Sequence, residues 1–139
     1  MYTDGFCVYG IYKTANYWLK HGVTVYQYVL SYEGSNSFTN IEYGIESIGV
    51  AHGDDLFYMF NYEDYKLNKT DQIIREIVVD AWTNFAIFGD PTPPGSEYNW
   101  KPLTNVEYFE YFNISGSNSK MDHSEYLQER MKTWQNIIG

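Results

Sequence analysis

The order of elements read from the sequence, helix, strand, histidine-bearing loop, helix, strand, helix, predicts the α/β class. Three observations lead there. Two helical apolar stripes have clear ends, and one β-branched and aromatic run reads as a strand buried on both faces. The third is size: 139 residues, 44% of them hydrophobic, make one domain (1–139) with a real core. The buried strand has no evident parallel partner, so another chain or a longer fold must complete its sheet.

Between Phe6 and His21, apolar residues fall at Ile11, Ala15, Trp18 and Leu19, a helical stripe that Gly22 closes. Val23 to Tyr32 is the strand, and Glu33 to Asn40 is a loop rich in Gly, Ser, Asn and Thr. A second loop, Gly49-Val50-Ala51-His52-Gly53-Asp54-Asp55, places a histidine between glycines that allow tight turns. Thr70 or Asp71 is expected to cap a long helix ending near Phe88 and stopped by Gly89. Its apolar face comprises Ile74, Ile77, Val78, Ala81, Trp82, Phe85 and Phe88, and Trp82 and Phe85 are read as core. Pro91, Pro93 and Pro94 keep the next stretch free of helix. Glu107 to Ile114 reads as a short aromatic strand. Asp122 and Glu125 have capping-box spacing for the last helix, whose stripe is Leu127, Met131, Trp134 and Ile138; Met121 and Tyr126 would form its staple.

Composition excludes several functions. Nine basic against eighteen acidic side chains give a net charge of −9, the wrong sign for nucleic acid or an anionic membrane surface. No apolar run has the length of a membrane span. A lone cysteine, Cys7, forms no internal disulfide and no thiolate zinc site; no metal or cofactor is called for. The 19% aromatic content, with 15 tyrosines, suits a chain that packs against a larger body or lines clefts. Met1 is followed by no basic and apolar leader pattern, and both a secreted and an intracellular location fit. Asn68-Lys69-Thr70 and Asn113-Ile114-Ser115 are N-glycosylation sequons, though roughly one or two arise by chance in a chain of this composition.

His52 is the leading chemical candidate, because loops after the strands of open α/β sheets carry functional groups. Asp54 and Asp55 lie too near in sequence to orient its ring with triad geometry and are read as local hydrogen-bonding groups. The run Gly49-Val50-Ala51-His52-Gly53-Asp54-Asp55-Leu56, followed by Trp82-Thr83-Asn84-Phe85-Ala86 and Gly89-Asp90-Pro91, resembles the C-terminal part of type-B carboxylesterases, the family that includes the cholinesterases. Thr3-Asp4, Val25-Tyr26-Gln27-Tyr28, Trp100-Lys101-Pro102 and Trp134 also match it in order and spacing, and Asp54-Asp55-Leu56 is most like the arthropod esterase branch.

The resemblance implies the C-terminal segment of an α/β-hydrolase fold, its last central strand with flanking helices, incomplete on its own. It implies that His52 is the general base and then general acid of a serine triad acting on a small ester, and that the nucleophile, triad acid and oxyanion donors come from the N-terminal part of the fold. The chain contains no G-x-S-x-G, and Gly44 to Gly49 has one residue too many to be an elbow, so the isolated chain is expected to be inactive. Cholinesterases carry a cysteine near the place of Cys7 and a second before the final tryptophan; this chain lacks the second.

Phe57 and Tyr58, just beyond the histidine, are candidates for a substrate-pocket wall. Tyr58, Tyr62 and Tyr65 otherwise read as a packed surface, His21 as a residue at a helix C-terminus, and His123 as first-turn residue of the last helix. Two rival functions remain. One is a non-catalytic esterase-like binding or adhesion module. The other is a non-haem iron oxygenase, with His52, Asp54 and His123 as a two-histidine, one-carboxylate site.

Overall fold

The computed structural model describes residues 3–46, 49–63, 65–105 and 108–139. Asp4–Val8 is a π-helical turn that runs into α1 (Tyr9–Lys20). Then follow β1 (Tyr28–Leu30), α2 (Phe38–Tyr43), α3 (Leu56–Met59), α4 (Lys69–Phe88), β2 (Glu110–Ile114), β3 (Lys120–His123) and α5 (Glu125–Ile138). The strands are ordered β1-β2-β3. Phe112 N donates to Gln27 O and Ser31 N to Ile114 O, so pairing advances in the same direction along both chains and β1 runs parallel to β2. The short connection to β3 makes an antiparallel hairpin, closed where the Ser119 hydroxyl accepts from Ser115 N and donates to Gly116 O.

The predicted strand is thus shorter than Val23–Tyr32 and does have a parallel partner. Val23 and Thr24 are exposed and precede the strand, and Tyr28, Val29 and Leu30 are half-buried, because β1 stands at the end of the strand order with one neighbour among the described residues.

By contacts the chain divides into two compact units. The first is Met1–Tyr28, Lys101–Phe112 and Met121–Gly139. Its core joins Tyr9 of α1 to Phe109 and to Met131 of α5, flanked by Val8, Tyr12, Tyr111, Leu127 and Trp134. Ala15, Val25 and Leu103 form a smaller cluster with Leu19. The buried Asp4 carboxylate accepts Arg130 Nε at 2.8 Å and also Nη2, fastening the π-turn to α5. That guanidinium holds the Asp4 carboxyl below its ordinary pKa. His21 ends α1 as expected, its ring Nδ1 2.7 Å from Tyr17 O.

The N-terminus of α5 differs from the sequence reading. Ser124 is the cap, its hydroxyl accepting from Leu127 N, while Asp122 lies in β3 and accepts from His123 N. His123 therefore ends a strand. Tyr126 is exposed beneath the Arg130 guanidinium, 4.9 Å from ring centre, and does not serve as a buried staple.

The second unit is Val29–Trp100 and Asn113–Lys120, built around α4 packed on α3. Asn68, two residues before the expected Thr70, caps α4 in a reciprocal capping box with Asp71, and Gly89 ends the helix. Ile74, Ile77, Val78 and Ala81 are buried, but the predicted core residues Trp82 and Phe85 are 44% and 47% exposed. Burial follows the apolar stripe only as far as Ala81, where the cover supplied by the described residues stops. The expected loop Glu33–Asn40 ends early, because buried Ser37 accepts from Thr39 N and starts α2.

Candidate catalytic histidine turn

Residues 51–54 form a tight turn that leads directly into α3. Asp54 N donates to Ala51 O at 3.2 Å, and Leu56 N to Gly53 O at 2.9 Å, so the backbone folds back twice within six residues. Gly53 sits at φ +88°, and a Cβ there would lie 3.0 Å from the Phe38 ring. Only glycine meets both conditions comfortably. His52 projects from this turn into solvent, and no carboxylate among the described residues hydrogen bonds to its ring.

Two buried carboxylates hold the surrounding backbone. Asp54 accepts from Phe38 N at 2.9 Å through Oδ1 and from Ala51 N at 2.8 Å through Oδ2. It thereby ties the residue before His52 to the first residue of α2. Asp71, fully buried, accepts from the Tyr32 hydroxyl at 3.0 Å and Ser35 N at 3.2 Å on one oxygen, and from Asn68 N at 2.8 Å on the other. The 32–38 segment is therefore gripped at both ends by negative charge bonded to inward-facing donors. Tyr58 lies in the same region. Burial first, and the Asp71 charge second, raise its hydroxyl pKa well above the tyrosine range. Gly34 makes room for it: a Cβ at that position would fall 1.9 Å from the Tyr58 oxygen and 2.8 Å from Asp71 Oδ1.

The candidate residues divide by position. His52 is presented to solvent, whereas Phe57 and Tyr58 are 4% and 2% exposed. Phe57 is ringed by Phe38, Tyr62 and Tyr65 at centroid distances of 4.7, 5.2 and 5.6 Å, so its side chain is engaged in core packing. Both sequon asparagines are also engaged. Asn68 caps α4 and donates to the Ser35 hydroxyl, and Asn113 accepts from Ser31 within β2. For the iron reading, both Asp54 oxygens are turned to backbone donors. Among the described residues no three His, Cys, Asp or Glu side chains form a metal-binding group.

Sequence reasoning missed the separate duties of Asp54 and Asp71. Asp54, read together with Asp55 as a local hydrogen-bonding group, does bond the turn, and it also reaches Phe38 N, 16 residues away. A signal for Asp71 was present in Asn68-Lys69-Thr70-Asp71, which has the spacing of a capping box.

Comparisons with known proteins bear on this geometry. The carboxylesterase family profile matches residues 1–134. The chain is 32% identical over 115 residues to juvenile hormone esterase of Tribolium castaneum, and 30% identical over 105 residues to a carboxylic ester hydrolase of Bombus ignitus. These matches take in 74% and 72% of this chain, but only 19% of each relative, so the chain spans about a fifth of their length. Juvenile hormone esterase of Manduca sexta, solved with OTFP covalently attached, superposes with a TM-score of 0.78 at 19% identity, over 99% of this chain and 27% of that one. The architecture is that of a segment of an α/β-hydrolase, and the chain belongs to the carboxylesterase family.

Proposed function

We propose that this segment works within an α/β-hydrolase that cleaves small carboxylic esters by serine acyl transfer, and that His52 is its general base. The observation that carries the proposal is a solvent-presented imidazole on a turn whose backbone is tied on both sides, within a chain of carboxylesterase sequence. In this mechanism the unprotonated ring nitrogen takes the proton from the serine Oγ as it attacks the ester carbonyl carbon. The resulting imidazolium gives that proton to the departing alkoxide, leaving an acyl-enzyme. In the second half, His52 takes a proton from water and returns it to the serine as the acid leaves. The nucleophile, triad acid and oxyanion donors are supplied by the part of the fold outside these 139 residues.

The test compares two proteins. The purified 139-residue chain should hydrolyse p-nitrophenyl acetate no faster than an equal concentration of imidazole. A chimaera in which residues 1–134 replace the matching stretch of the Tribolium castaneum enzyme should turn it over. His52→Ala should then lower kcat by about 10⁴-fold or more, as loss of a triad member does. His21→Ala and His123→Ala should leave it nearly unchanged. Turnover that survives His52→Ala would overturn the proposal, as would His123→Ala proving equally damaging.

A further inference from the structure

We infer that Asp54 is a positioning residue for His52, holding the histidine turn in register through the backbone on either side of the reactive ring. The inference rests on the reading of His52 as the general base. Asp54 is 5% exposed and never reaches the ring; its two oxygens are occupied by Phe38 N and Ala51 N. One bond fixes the peptide just before His52. The other oxygen accepts from Phe38 N, 16 positions before Asp54, at the start of α2. The Phe38 side chain completes the hold from the opposite direction, because its ring closes over Gly53, the residue just after His52. The same ring packs on Phe57 at 4.7 Å. His52 therefore lies between Ala51, which the Asp54 carboxylate ties to Phe38 N, and Gly53, against which the Phe38 ring packs.

A carboxylate suits this task better than an amide. It offers two acceptor oxygens to two N–H donors, whereas asparagine would place its NH₂ against one of them. Releasing either donor lets the turn drift relative to α2, and displacement of a catalytic group by about 1 Å costs on the order of 10²-fold in rate.

The test has two parts. In the 139-residue chain, Asp54→Asn should speed hydrogen exchange of the Ala51 or Phe38 amide by about tenfold or more, the loss of one charge-assisted bond. It should also raise backbone mobility at His52 in ¹⁵N relaxation. In the chimaera, Asp54→Asn should lower kcat about 10²-fold with KM within about twofold. If that variant fails to accumulate, Asp54→Glu keeps the charge and shifts its position by one methylene, and should show the same split between kcat and KM. Unchanged exchange and His52 mobility would overturn the inference, even with no active chimaera in hand. Unchanged kcat in Asp54→Asn, where His52→Ala is inactive, would overturn the inference alone. Full activity of His52→Ala would remove the functional reading and this inference together.

Discussion

Replacing Asp71 with asparagine tests whether the buried carboxylate at the head of α4 is the main polar anchor of its unit. The side chain has no exposure and accepts three hydrogen bonds, from the Tyr32 hydroxyl, Ser35 N and Asn68 N. Asparagine keeps one acceptor. In its better orientation the oxygen stays with Tyr32 and Ser35, and the NH₂ faces the Asn68 N–H. One bond is then lost with a donor left opposite a donor, worth about 1–3 kcal/mol, and two bonds fall from charged to neutral strength at about 1 kcal/mol each. Relief from burying a charge offsets part of this, so the net loss should be about 2–4 kcal/mol. Urea unfolding of the 139-residue chain, followed by circular dichroism, measures it against Asp80→Asn on the exposed side of the same helix. The control should lie within about 0.5 kcal/mol of the parent. If the two variants are indistinguishable, the carboxylate is not an anchor and the reasoning fails.

Two further outcomes follow from close contacts in the structure. Gly34→Ala cannot be accommodated, with Cβ 1.9 Å from the Tyr58 oxygen, and should destabilise the second unit by about 3 kcal/mol or more; adding Tyr58→Phe should recover part of that loss in the same urea assay. Asp4 has a folded pKa below its ordinary value of 3.8, owing to its hydrogen bond with Arg130. Its contribution is therefore full above that ordinary value and declines as pH falls through the folded one. Acid titration of the first unit should show this loss, and Asp4→Asn should flatten it; an unaltered acid profile in the variant would contradict the assignment.

Much of this was readable from residues alone, for identifiable reasons. Helix α4 has a sustained 3.6-residue stripe and a glycine stop, both local signals, and both are observed. The histidine turn announced itself by Gly49-Val50-Ala51-His52-Gly53. What escaped depends on partners distant in sequence. Val23–Tyr32 has strand composition, but composition does not say how many residues a neighbour will pair, and β2 pairs only the central few. Strand β3, Lys-Met-Asp-His, has one apolar residue and so no period-2 signal. Trp82 and Phe85 belong to a readable face, but a stripe does not specify what covers it. Asp54 and Asp71 were legible as polar residues near helix starts. Each accepts from an N–H three residues back, which a local pattern can indicate, but also from N–H groups 16 and 36 residues away, which no local pattern encodes.

The closeness of Gly34 to the Tyr58 hydroxyl makes these two positions a single unit of inheritance. No side chain at 34 is compatible with a tyrosine at 58 in this arrangement, since even a methyl group overlaps the phenolic oxygen. Removing that oxygen lifts part of the exclusion, leaving the Asp71 carboxylate 2.8 Å from the same methyl group. Drift in this part of the fold must therefore follow an order: position 58 surrenders its hydroxyl first, and only then does position 34 gain a side chain. Across relatives that keep the acid at 71, glycine at 34 should accompany tyrosine at 58, and the pairing of a larger residue with that tyrosine should be missing.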